Sequence, residues 1–343
     1  MSLRSYVIAR VLLTIPMILL LLTLVFLITR VLPGDPVILH FEKQAKPEAV
    51  EQFRHNLGLD KSLPEQYLDY LTGLLRGDLG KSMQDFSPVG QQIFSAFPAT
   101  LELAIFGMIV AVVLGVVLGV RASQSYNTSA DHMIRGFGIA SYAIPVFFMG
   151  MVLQIVFSIQ LRWFPSGGRI FPGMEPIGLN LGVFHFATGL YTIDSLLEGN
   201  LNKFVMALRY IFLPSLALGL VLCGIFIRLT RSNMLETLRL DFVTAARARG
   251  LRETTVIYAY ALRNAFLPIL TMMGLQFAAL LAGAILTETT FSWPGLGRYL
   301  VDRIAFRDYT AIQGAVVFFG LLVALVSLIV DVLYAYLDPR IRL

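Results

Sequence analysis

Side chains able to do chemistry are few in this chain, and most of them are scattered. Four histidines (His40, His55, His132 and His185) stand at spacings that no metal-binding pattern uses. The single cysteine, Cys223, lies inside an apolar run, where it acts as a small apolar side chain and leaves no partner for an internal disulfide. Gly80-Lys81-Ser82 has the ending of a phosphate-binding loop, GxxxxGK[ST]. The position that needs the first glycine is Leu75, however, and no apolar strand precedes the loop. Gly138 and Ser141 are not spaced to build a GxSxG nucleophile elbow, and the sequence argues against an enzyme.

What stands out instead is positive charge. Seven of the 22 arginines fall between Arg228 and Arg263, in a polar segment between two hydrophobic runs. Its centre, Asp241–Pro268, reads DFVTAARARGLRETTVIYAYALRNAFLP. Asp241 suits a helix N-cap, Phe242 to Arg249 are helix-compatible, and Gly250 suits the left-handed position after a helix end. Thr254 or Thr255 can cap a second helix running towards Arg263. The small side chains of Thr244, Ala245 and Ala246 would let another protein approach the backbone closely, while Arg247, Arg249 and Arg252 offer charge to an acidic groove. The same arginines serve equally as positive charges holding a re-entry helix at the inner membrane surface.

The elements around this segment are membrane spans. The chain is 57% hydrophobic and 14% charged, with a mean hydropathy of +0.73, outside the balance of soluble domains. Crossing a bilayer takes about 20 helical residues at ~1.5 Å each. Six runs qualify: Val11–Thr29, Leu103–Val120, Gly136–Leu161, Tyr210–Ile227, Asn264–Thr287 and Tyr309–Val330. A seventh uncharged run, Pro176–Ile193, contains three glycines, Asn180 and His185 and reads as irregular or interfacial. The first run exceeds a signal-peptide core and leads into LPGDP at 32–36 instead of a cleavage site, so it reads as a retained span.

Charge sets the orientation. With the N-terminus inside, the inner pieces hold 13 arginines, no lysine and 6 acids, and the outer pieces 14 basic residues and 16 acids over about twice the length. Both termini are therefore expected in the cytosol. The expected organisation is a first span at 1–32, an extracytosolic region at 33–97, and a five-span core at 98–343. That core includes an outer segment at 162–209 and an inner loop at 228–263. The region 33–97 has two short amphipathic helix candidates, Pro47–Asn56 and Pro64–Leu75, and reads either as a shielding cap or as a platform for an outer partner.

Ionisable residues at the span ends, Glu102, Arg209 and Asp331, are expected to snorkel or pair. Gly115 and Gly119 form a G-x-x-x-G, and Gly274, Ala278, Ala279, Ala282 and Gly283 line the fifth span, patterns that let helices approach closely. Pro16 and Pro145 are expected to kink their helices. Mid-span charges and an internally repeated layout, the marks of a coupled secondary carrier, are not seen. A membrane scaffold or receptor recruiting some other partner through the basic loop stays open on the residues alone.

The basic segment resembles the EAA motif of ABC importer permeases, E-A-A-x-x-x-G, with Thr244-Ala245-Ala246 and Gly250 at the motif spacing and Thr in place of Glu. The motif's later Leu-Pro falls on Leu262-Arg263, and Leu267-Pro268 follows. LPGDP (32–36), LGLD (57–60), GDLGKS (77–82), PATLEL (98–103), RNAFLP (263–268), ILTETTFSWPGLGR (285–298) and DPRIR (338–342) extend the resemblance along nearly the whole chain. Together they resemble the first permease subunit of dipeptide/oligopeptide-type importers.

That resemblance implies an all-α polytopic protein of the prokaryotic cytoplasmic membrane, with six transmembrane helices and the type I ABC importer permease fold. It implies half of a pore completed by a related second permease, two cytosolic ATPase subunits and an extracytosolic solute-binding protein, with no nucleic-acid partner. ATP and magnesium would be bound by the ATPase subunits, leaving this chain without a cofactor. Asp241, Phe242, Thr244, Ala245, Ala246, Arg247, Arg249, Gly250 and Leu251 would form the helix that contacts the ATPase. The expected cargo is a di- or oligopeptide; oligosaccharides, nickel chelates and glutathione are carried by similar permeases.

Overall fold

The computed structural model describes residues 3–30, 47–56, 58–180 and 185–337. LPGDP at 32–36 and DPRIR at 338–342 lie outside them. The chain begins with α1 (Leu3–Arg30), followed by two short amphipathic helices, α2 (Pro47–Asn56) and α3 (Leu63–Leu75). Ser62 and Glu65 close a capping box at the start of α3. Next come α4 (Val89–Gln124), α5 (Ser129–Ala143) and α6 (Val146–Leu153), the last continuing as a π-helix over Gln154–Gln160. A two-residue hairpin, β1 (Leu179–Asn180) with β2 (His185–Phe186), and α7 (Tyr191–Leu197) occupy the run expected to be irregular. The long α8 (Leu201–Thr237) leads to α9 (Asp241–Ala248). The short α10 (Glu253–Thr255), a π-helix (Val256–Ala261) and α11 (Leu262–Gly283) then run on from one another. The chain closes with α12 (Ile285–Thr290), α13 (Leu296–Ala305) and α14 (Tyr309–Leu337).

Among the described residues, five helices are long and apolar enough to span: Ala9–Arg30, Val89–Gln124, Leu201–Thr237, Glu253–Ala282 and Tyr309–Val332. Two expected spans need correction. Gly136–Leu161 is not one straight helix, because α5 and α6 meet at 103°. The cause is local: Pro145 cannot donate a backbone hydrogen bond, and it forces Ile144 out of helical geometry to ψ 127°. The fifth span begins at Glu253, eleven residues before the expected Asn264, and α12 is separate from it. Pro16, by contrast, sits inside an unbroken α1.

The broken pair must still count as one crossing. Helices α4 and α8 run parallel: Gly107 faces Leu218, Gly115 faces Phe226 and Gly119 faces Thr230, a constant register over three contacts. Two consecutive parallel spans require a return between them. The α5–α6 pair supplies it, running antiparallel to α8 from the Asp131–Arg231 pair to the packing of Leu153 on Leu213. Six crossings result. The Arg10–Asp331 pair (3.2 Å) aligns the start of α1 with the end of α14, and Gly274 packs on Val330 between α11 and α14. Both ends of the described chain thus lie on the side of α9.

The main core is the α4–α8 seam with α11 and Trp293 laid against it. Small residues build that seam because apolar side chains gain nothing by leaving lipid, so association relies on close contact. Helix α1 is peripheral: it touches α14 and α3 through Leu22, Val25 and Phe26, while Leu12, Leu13, Leu20 and Ile28 face outward, as a lipid-facing helix must.

Candidate functional site

Helix α9 is built to be held on one side and offered on the other. Val243 and Ala246, three residues apart and therefore on one face, are fully buried. They insert among Val120 at the end of α4, Met234 at the end of α8, and Val256, Ile257, Ala261 and Ala265 at the head of the fifth span. Asp241, Thr244, Ala245, Arg247, Ala248 and Arg249 are exposed, and Phe242 is half-buried.

The helix ends are defined by backbone chemistry. Leu240 occupies the N-cap in extended geometry, so Asp241 is the first helical residue and not the cap. Its carboxylate sits in the first turn, where it meets the positive end of the helix dipole. At the other end, Gly250 has φ +75°, its N–H donates to the Arg247 carbonyl (2.9 Å), and the Leu251 N–H reaches the Ala246 carbonyl (3.4 Å). These two bonds define a Schellman motif, and Leu251 packs back on the cluster around Ala246. Arg252, not Thr254 or Thr255, caps the following helix.

The expected docking residues therefore divide. Thr244, Ala245, Arg249 and Gly250 share the free surface. Ala246 does not: it is an anchor, small because α9 lies tight against the bundle. Arg247 pairs with Glu253 (2.7 Å), which holds its guanidinium above the ordinary arginine range and ties the helix to the next element. Val243 and Glu253 were not legible as site residues; the apolar residue three before Ala246 was the available signal for the first.

At the opposite end a dense polar network fixes the outer surface. Buried Glu102 accepts two hydrogen bonds from Arg169 (3.1 and 2.7 Å) and two from Thr192, through its N–H and hydroxyl (2.7 Å each). Arg169 also donates to the Gly189 carbonyl (2.6 Å) and stacks on Tyr191 at 3.7 Å. Thr100 donates to buried Glu288 (2.6 Å) and accepts from the Leu296 N–H, while the Trp293 indole donates to the Ala99 carbonyl (2.8 Å). Burial pushes the Glu288 carboxyl above its ordinary range. Ser82, of the Gly-Lys-Ser stretch, gives its hydroxyl to buried Asp308 (2.6 Å). Of the three span-end charges, Glu102 and Asp331 are in ion pairs, with Arg169 and Arg10, while Arg209 donates to the Trp163 carbonyl.

Six crossings with both ends on one side, a half-exposed helix locked across three spans there, and a braced outer surface define a polytopic membrane protein. Residues 111–343 match the model of the binding-protein-dependent transport system inner membrane component, and residues 3–104 match the N-terminal model of the same components. The chain belongs to this family, and it is a multi-pass cytoplasmic-membrane protein with the type I ABC importer permease fold. It is 41% identical over 322 residues, 93% of each chain, to a di/tripeptide transport system permease protein DppB of Pseudomonas aeruginosa. It is 40% identical over 339 residues, 98% of each chain, to the dipeptide permease DppB of Escherichia coli K12. The glutathione permease GsiC of Salmonella typhimurium is 38% identical over 338 residues, 98% of this chain and 99% of its own.

Proposed function

We propose that this chain is one half of the translocation pore of an ATP-driven importer of short peptides, with a homologous permease as the other half. The observation that carries the coupling role is the division of α9 into a buried anchor face and an exposed face of small and basic side chains. A surface of that shape suits a cleft on a cytosolic ATPase subunit. ATP and magnesium would bind there and not to this chain. Closure of the ATPases would press on α9 and switch the spans between inward and outward access. The outer elements, α2, α3 and the segment 162–209, would receive a solute-binding protein. Dipeptide, di/tripeptide and glutathione permeases at 38–41% identity support a short peptide as cargo.

The exposed residues give a clean test. Thr244→Trp and Ala245→Trp place bulk on the free face, whereas Ala246→Trp would disturb the anchor. In vesicles reconstituted with the partner subunits and binding protein, the first two variants should insert normally, yet lose dipeptide-stimulated ATP turnover and dipeptide uptake. Wild-type stimulation in both variants would sink the assignment of α9.

A further inference from the structure

Between α5 and α8, at the end that carries α9, lies an open cavity of about 500 Å³. Its depth comes from glycine. Gly138 and Gly224 bring the two backbones so close that a Cβ on Gly224 would collide with the Gly138 carbonyl, so no side chain fills the floor. The walls are apolar, from Ile139, Tyr142, Ile225 and Ile227. Ile139 is 71% and Tyr142 62% exposed, a cost that only lipid or another protein removes at this depth.

The rim is arginine. Arg135, Arg228 and Arg231 all border the cavity. Arg231 is neutralised by a two-bond pair with buried Asp131, both bonds 2.7 Å. Arg135 and Arg228 are exposed and form no ion pair or side-chain hydrogen bond among the described residues. Arg135 reaches Asp131 only through longer-range attraction. Two uncompensated positive charges thus stand over an apolar slot on the arginine-rich side of the membrane.

We propose that this slot holds an anionic phospholipid of the cytosolic leaflet, its phosphate between Arg135 and Arg228 and an acyl chain along Ile139, Tyr142 and Ile225. Guanidinium groups match phosphate oxygens in geometry and charge, and basic pockets between spans on the cytosolic side favour acidic head groups. A zwitterionic lipid brings its own ammonium and loses most of that attraction. The lipid would bridge α5 to α8 directly below the Ile144–Pro145 break.

The test uses the full chain purified with co-expressed partner subunits and exchanged into nanodiscs of phosphatidylglycerol and phosphatidylcholine. Bound lipid is counted by native mass spectrometry. Wild type should retain phosphatidylglycerol preferentially. The R135Q/R228Q double variant should lower that retention on the order of 30-fold, about fivefold per arginine. Ile139→Trp, which fills the slot without touching charge, should also displace the lipid, whereas Arg239→Gln, outside the slot, should not. Undiminished phosphatidylglycerol retention in R135Q/R228Q overturns the proposal. So does efficient crosslinking of a Tyr142→Cys variant to another polypeptide in the assembled complex, which would show protein on this face.

Discussion

Arg169→Met tests whether the outer surface is clamped to the spans by a buried charge pair. In the native chain the Glu102 carboxylate accepts four hydrogen bonds, two of them from Arg169, and both side chains are almost fully buried (3% and 7% exposed). Methionine keeps the stem volume but removes the cation, leaving a buried carboxylate with only the two Thr192 donors. Stripping one partner from a buried pair costs about 3–5 kcal/mol, because the remaining charge has neither water nor a counter-ion. The Gly189 carbonyl also loses its donor, adding about 1 kcal/mol. Removing the charge as well, in E102Q/R169M, should return a large part of this loss. The double variant is then more stable than R169M alone, even though two native partners are gone. Unfolding can be followed through Cys223, the sole and fully buried cysteine, whose reaction with a thiol dye reports opening of the bundle. If R169M unfolds within about 1 kcal/mol of wild type, or if the double variant is the worse of the two, the clamp reasoning is refuted.

The α4–α8 seam predicts a sharp contrast between glycines: Gly119→Ala puts a Cβ 2.5 Å from Thr230 Cβ and 3.0 Å from the Ile227 carbonyl, while Gly138→Ala meets its nearest atom at 3.5 Å. The first should lower thermal stability by about 1–3 kcal/mol and the second should leave it near wild type, read by the same dye-accessibility melt. At the outer turn, hydrogen bonds from the Ser87 hydroxyl and N–H hold the Asp85 carboxyl below the ordinary aspartate range, so its stabilising contribution is complete above that range and is lost as pH falls through the lowered value. The protection factors of residues 82–92, corrected for the intrinsic pH dependence of amide exchange, should therefore fall on acidification in wild type, and that fall should be absent in Asp85→Asn.

Much of this architecture was written plainly in the sequence. Four of the six spans fall where uninterrupted apolar runs place them, since a helix in lipid must satisfy its own backbone and a run of about 20 apolar residues has few alternatives. The short outer helices were equally legible from their prolines and amphipathic spacing. Hydropathy could not place the 103° bend, because Ile144 and Pro145 are apolar enough to pass through any window average. Nor could it find the start of the fifth span: Arg263 ends the apolar run, but the helix continues back through it to Glu253, burying Val256, Ile257 and Ala261 on the way. The helix at Asp241–Ala248 was legible from its helix-forming residues and the glycine after it, yet composition could not tell which residues faced outward. Thr244, Ala245 and Ala246 look alike in sequence, and only the packing of Val243 decides that Ala246 is the anchor. The Glu102–Arg169 clamp joins residues 67 apart, a contact no local pattern encodes.

In the proposed importer, the packing sets how a force on α9 travels. Val243 and Ala246 are wedged against the ends of α4 and α8 and the head of the fifth span, so α9 has no freedom to shift alone. Helices α4 and α8 cannot slide past each other, because their glycines seat Leu218, Phe226 and Thr230 at fixed heights. These two spans therefore respond as one rod reaching from α9 to the outer network at Glu102. The α5–α6 pair is different: it is tied to the rod at one end by Asp131–Arg231 and at the other by Leu153 packing on Leu213 of α8, while Gln154 donates to the Ser166 and Thr290 carbonyls. Between those ties lies the break at Ile144–Pro145, and the π-helix begins at the second tie. Backbone there lacks the regular i→i−4 ladder that stiffens a helix, so relative motion of the two ends concentrates in this span. In the proposed importer, the third crossing is thus where displacement at α9 becomes a change of shape within the membrane.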